Sequence, residues 1–88
     1  MQIEIKHSRN SVAGWDVDVT VSAESEETIS MVTVYINDFP EVEETPRPDA
    51  RKTWHKVLAR KGEYPGSNIV VVSALDQDSK SVSAQDKW

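Results

Sequence analysis

From Trp15 to Glu24 the chain alternates without a fault: Trp15, Val17, Val19, Val21 and Ala23 fall on one side, and Asp16, Asp18, Thr20, Ser22 and Glu24 on the other. A period of two with one apolar and one polar side is a half-buried β-strand. Sheets with one dry and one wet face are typically antiparallel, because parallel sheets are covered on both faces and read as unbroken apolar runs. This segment therefore points to an all-β, antiparallel fold.

The rest of the chain reads as a meander of short strands. Ile3 and Ile5 share a face in a first strand, and Ser8 to Gly14 is a turn leading into Trp15. After the polar break Glu24 to Glu27, Val32, Val34 and Ile36 alternate with Met31, Thr33 and Tyr35, a strand expected to be covered on both sides and stopped by Asn37, Asp38 and Pro40. Phe39 to Asp49 holds Pro40, Pro46 and Pro48 among four carboxylates, which discourages central pairing and predicts a long edge loop with at most one short strand. Residues 50 to 61 suit two structures. Asp49 as cap, Gly62 as stop and Ala50, Trp54, Val57, Leu58 and Lys61 at helical spacing describe a helix. The strand is favoured, because Arg51 and Lys52 would oppose the helix dipole in a first turn, while Trp54, Lys56 and Leu58 share a strand face with the lysine stem along apolar surface. Gly62, Pro65 and Gly66 make a turn. Asn68, Val70, Val72 and Ala74 then oppose Ile69, Val71 and Leu75 in a strand covered on both sides, hence central. Asp76 to Ser79 turns the chain into a last strand, Lys80 to Ala84, with Val82 inward. Six or seven strands at these spacings predict a β-sandwich, and 88 residues are the size of one domain, 1–88.

The stretch Tyr64-Pro65-Gly66-Ser67-Asn68-Ile69-Val70-Val71-Val72-Ser73-Ala74-Leu75-Asp76 resembles the Pro-Gly-x-Asn, alternating valine, Ala-x-Asp pattern near the end of bacterial immunoglobulin-like domains. Ile29-x-x-Val32-x-Val34-x-Ile36-Asn37 is similar to their third strand. Gln77-Asp78-Ser79 stands where Gly-Asn often follows the Asp, Tyr35 replaces the third-strand tryptophan of antibody-type domains, and their cysteine pair is missing. A fibronectin III-like sandwich therefore stays open beside the immunoglobulin-like one. The resemblance implies adhesion, spacing or protein interaction within a larger protein, and names no ligand.

Composition narrows the partners. A net charge of −5 repels phosphate backbones, so nucleic acid is not expected. The run Ile69 to Val72 is far too short for a membrane span, and no membrane insertion is expected. Met1 leads directly into alternating Gln2, Ile3, Glu4 and Ile5, without the pattern of a signal peptide. Met1 either opens a whole cytoplasmic protein or begins a segment of a longer surface or extracellular one. Glu41, Glu43, Glu44 and Asp49 precede Arg51, Lys52, Lys56, Arg60 and Lys61, read as a solvated loop beside a solvated strand face in preference to a docking patch.

Chemistry-bearing residues are few. With no cysteine, and His7 and His55 as the only histidines, there is no activated nucleophile to build and no zinc set, so neither catalysis nor a metal or cofactor site is expected. Each histidine is read as an exposed strand residue, and Asp16 and Asp18 as solvated residues of a strand face. Asp76-Gln77-Asp78 opens like a calcium loop but has Ser81 where glycine is required and Lys87 where a bidentate carboxylate is required. Trp15 reads as core or core edge. Trp54, Tyr64 and Trp88 remain as binding candidates, whose rings, if exposed, would stack on sugars or anchor a protein. The expected function is a non-enzymatic module with a protein partner or neighbouring domain, the alternative being carbohydrate binding through exposed tryptophan.

Overall fold

The computed structural model describes residues 1–61 and 67–88. Seven strands are present among them: β1 Gln2–Arg9, β2 Trp15–Ser22, β3 Ile29–Ile36, β4 Phe39–Glu44, β5 Thr53–Lys61, β6 Ile69–Asp76 and β7 Ser81–Lys87. They form two antiparallel sheets, one ordered β1-β2-β5 and the other β4-β3-β6-β7, packed face to face as a β-sandwich with extents of 40 × 20 × 17 Å. Residues 53–61 are strand, as favoured, and the only helical turn described is a 3-10 turn at Pro48–Ala50.

The alternation in the sequence decides what each sheet buries. Val17, Val19 and Val21 of β2 and Trp54 of β5 face Val32, Val34 and Ile36 of β3, Val42 of β4, and Val70, Val72 and Ala74 of β6. Eight of the Val and Ile side chains are under 2 % exposed, and burying each contributes about 1.5–3 kcal/mol. Ile3, Ile5, Leu58 and Trp88 close the core at its margins.

Irregularities fix the register. The β3–β4 connection is the two-residue turn Asn37-Asp38, with φ of 51° and 66°, between the paired Ile36 and Phe39. Two successive positive φ values are the type I′ turn that matches strand twist. The Asn37 amide extends the turn into the sheet: its Oδ1 accepts from Ile69 N at 2.9 Å and its Nδ2 donates to Asn68 Oδ1 at 3.1 Å. Phe39–Glu44 is thus a paired edge strand, bulged between Val34 and Tyr35 so that Pro40 is accommodated. A second bulge, between Trp15 and Val17 against β5, brings Gly14 (φ 65°) against the backbone of Arg60, itself at φ 58°.

Two burial expectations change. β6 is central, as predicted, but its second face and that of β3 are only partly covered: Tyr35 is 44 % exposed. Among the described residues no layer lies outside the four-stranded sheet. Val82 shares the inward parity of Ala84 yet is 37 % exposed, because β7 is an edge strand.

Candidate functional site

A sandwich leaves two flanks where the sheets are not hydrogen-bonded to each other, and side chains close both here. On one flank β5 and β4 meet: Lys56 Nζ lies 3.2 Å from Glu44 and Lys61 Nζ 3.1 Å from Glu41. The acidic and basic runs of the sequence therefore partly neutralise each other across the sandwich rather than standing as two separate solvated segments. On the other flank β1 meets β7, and His7 Nδ1 lies 2.5 Å from Asp86 Oδ2.

The second flank is the richest cluster of the molecule. His7 continues the inward face of Ile3 and Ile5, so its ring turns under the sandwich edge. It stacks on Trp88 with centroids 4.5 Å apart and planes 14° from parallel, and it meets Trp15 edge-on at 5.5 Å. Trp15 and Trp88 touch at 5.9 Å, and the Arg9 guanidinium lies 5.6 Å from the Trp15 ring. Trp88 is held in place by its backbone, which exchanges two hydrogen bonds with Asn68 at 2.8 and 3.1 Å. Its indole Nε1 is buried without a hydrogen-bond partner among the described residues. Beside it lies a groove of about 450 Å³ lined by Ser67, Asn68, Ile69, Lys87 and Trp88.

His7 is consequently not an exposed strand residue but a half-buried ring packed among aromatics; the period-two pattern placed it on the inner face, and its polarity concealed that. His55 is exposed, and its Nε2 lies 2.8 Å from Asp18 Oδ1 on the outer face of the three-stranded sheet. Asp16 accepts from Asn10 Nδ2 at 2.9 Å and from Arg60 N at 3.3 Å, so it ties the β1–β2 turn to the β5 bulge. Among the described residues no hydroxyl or thiol is hydrogen-bonded to either imidazole, and no group of three or more His, Cys, Asp or Glu converges to hold a metal. Asp76, 5 % exposed, spends its Oδ1 on the N–H groups of Asp78 and Lys80, at 2.8 and 2.9 Å. This carboxylate organises the β6–β7 turn in the manner of an Asx turn.

Of the three binding candidates, Trp54 is 4 % exposed and lies in the core opposite Val21, so its ring presents no face to a ligand. Tyr64 falls outside the described residues. Trp88 is half-buried: one ring face is taken by His7, and the indole borders the groove. Trp15 joins it rather than the deep core, a consequence of the bulge that ends regular pairing at that residue.

At the opposite end of β6 the Met1 amine lies 2.7 Å from Glu27 Oε1. This hydrogen bond raises the amine pKa above its ordinary value and lowers that of Glu27, with the N–H of Glu24 adding to the latter. Lys52 donates to the carbonyls of Glu24, Ser25 and Glu27, pinning the same turn.

The sequence matches no protein-family model, and no curated protein matches it.

Proposed function

We propose that the chain is an immunoglobulin-like module with no enzymatic activity, serving protein interaction, adhesion or spacing within a larger bacterial protein. The observation that carries the reading is the sandwich itself: two antiparallel sheets, β1-β2-β5 and β4-β3-β6-β7, close on one apolar core and leave edge strands and end loops for recognition. The fourth strand lies beside the third and not beside the fifth, as it does in constant-type immunoglobulin domains, which supports the fibronectin III-like variant of the sandwich.

The polar chemistry supports the same reading. Both histidines, Asp18, Asp76, Asp86, Lys56 and Lys61 are engaged in internal structure, leaving recognition to surface shape and edge strands.

Carbohydrate binding is the second reading, favoured by one observation: Trp88 borders a groove that also carries Lys87 and Ser67. The test is capture from lysate and envelope fractions on the immobilised protein, beside tryptophan fluorescence against a glycan panel. A specific protein retained at high salt supports the interaction module. A fluorescence shift with a glycan, abolished by Trp88→Ala, overturns it in favour of the second reading.

A further inference from the structure

Among the described residues the sandwich has four edge strands, β1, β5, β4 and β7. Three of them carry devices that discourage further pairing. β4 holds Pro40 at its second position, bears Glu41, Glu43 and Glu44, and is bulged against β3. β5 carries Lys56, Arg60 and Lys61, with Arg60 at φ 58° beside the bulge against β2. β1 places Glu4, Lys6 and Arg9 along its length. Proline, charge and bulges are the means by which exposed edges avoid adding a strand. β7 has none of them from Ser81 to Gln85: Ser-Val-Ser-Ala-Gln is uncharged, free of proline and in unbroken register with β6.

The hydrogen-bond parity of β7 is fixed at both ends. Trp88 exchanges two backbone bonds with Asn68, and the Lys80 carbonyl accepts from Asp76 N at 3.0 Å. In an antiparallel ladder alternate residues bond the same neighbour, so Val82, Ala84 and Asp86 direct their N–H and C=O groups to β6. Ser81, Ser83 and Gln85 direct theirs to the side where no strand is paired among the described residues. Val82 is 37 % exposed at this edge.

We propose that the β7 edge takes the β7 strand of a second copy of the chain, antiparallel, about a two-fold axis that passes through Ser83 perpendicular to the sheet. The sequence is self-complementary in that register. Ser83 faces its own image and Ser81 faces Gln85 on either side, all with outward backbone groups, which closes about six backbone hydrogen bonds at two per bonded pair. Val82 faces Ala84, so each exposed valine gains an apolar neighbour. The first charged positions beyond the run, Lys80 and Asp86, fall opposite each other, and no like charges meet. Other centres fit less well: an axis through Ser81 sets Gln85 against Gln77 in the β6–β7 turn, and one through Gln85 lays Asp86 against Ala84. A copy supplies the matched register by symmetry. The inference rests on the edge-strand recognition proposed above but fails separately from it, because a chain that stays monomeric yet captures another protein ends self-pairing alone.

The chain has no cysteine, so single cysteines report the register without background. Under mild oxidation Ser83→Cys is expected to cross-link to a dimer, its Cα lying about 5.5 Å from its image across the axis. Ser81→Cys and Gln85→Cys each lie about 14 Å from their own images and are expected to cross-link about tenfold less alone, while a mixture of the two recovers the Ser83→Cys level. In sedimentation velocity up to about 1 mM the wild-type chain is expected to dimerise reversibly. Ser83→Pro should abolish the dimer and leave circular dichroism unchanged, because the lost N–H faces the free edge and not β6. Ser83→Lys sets two ammonium groups across the axis and should weaken association about tenfold or more, whether or not the proline variant folds. A monomer at every concentration overturns the proposal, as does equal cross-linking at all three positions or a dimer that survives Ser83→Lys.

Discussion

Gly14→Ala is expected to be among the most damaging single-methyl changes outside the core, for two separable reasons. Gly14 sits at φ 65°, where an L-residue loses about 1–2 kcal/mol. A Cβ there would also lie 2.9 Å from the Lys61 carbonyl oxygen and 3.0 Å from the Arg60 carbonyl carbon. Both obstacles are backbone at the β2–β5 bulge, so no rotamer change relieves them, and moving the chain disturbs the Asp16 contact to Arg60 N at 3.3 Å. Strain and overpacking together are expected to cost about 2–4 kcal/mol. For a domain of this size that corresponds to a fall of roughly 8–30 °C in Tm. The partner residue supplies the contrast. Arg60 holds φ 58° without being glycine, so Arg60→Gly should be neutral or stabilising by up to about 1 kcal/mol, once relief of strain is set against the added freedom of the unfolded chain. Urea unfolding of both variants measures the two values. A loss below about 0.5 kcal/mol for Gly14→Ala, the ordinary range of surface substitutions, would refute the argument that this turn fixes the β2–β5 register.

Trp54→Ala should cost about 3–5 kcal/mol by denaturant unfolding, because the ring is core and not a binding face; acrylamide should correspondingly quench Trp54 least, as read in a Trp15→Phe, Trp88→Phe background. Val72→Ala, at a fully buried site, should cost about 2–3 kcal/mol. The Met1–Glu27 pair makes stability depend on pH at both extremes. The lowered Glu27 pKa gives a contribution present above its ordinary value of 4.5 that is lost as pH falls through the lowered value. The raised amine pKa gives one present below 8.0 that is lost as pH climbs through the raised value. Glu27→Gln should flatten both limbs when unfolding is followed across pH.

The alternation of β2, β3 and β6 made the sandwich legible, because a half-buried strand writes its burial directly into a period of two. Trp54, Lys56 and Leu58 separated strand from helix in β5 for the same reason. Other features were misread or hidden. The one short edge strand allowed within Phe39 to Asp49 is present as Phe39–Glu44, but its bounds were hidden by the prolines, which a bulged edge tolerates and a regular strand does not. His7 was assigned to the surface by polarity, although its parity with Ile3 and Ile5 already placed it inward. The outer cover expected for Tyr35 was read from apolar residues on both sides of the strand, whereas the structure leaves that side open. The aromatic cluster joins His7 to Asp86 across 79 positions of sequence, a juxtaposition that strand spacing alone does not encode.

The interaction module is tested most directly by capture with three immobilised forms of the chain, wild type, Tyr35→Lys and Trp88→Ala, against lysate and envelope fractions at low and high salt, with retained proteins identified by mass spectrometry. The account predicts a defined protein held by wild type and Trp88→Ala at high salt and released by Tyr35→Lys. Retention lost only in Trp88→Ala, or fluorescence that answers to a glycan where no protein is captured, would contradict it.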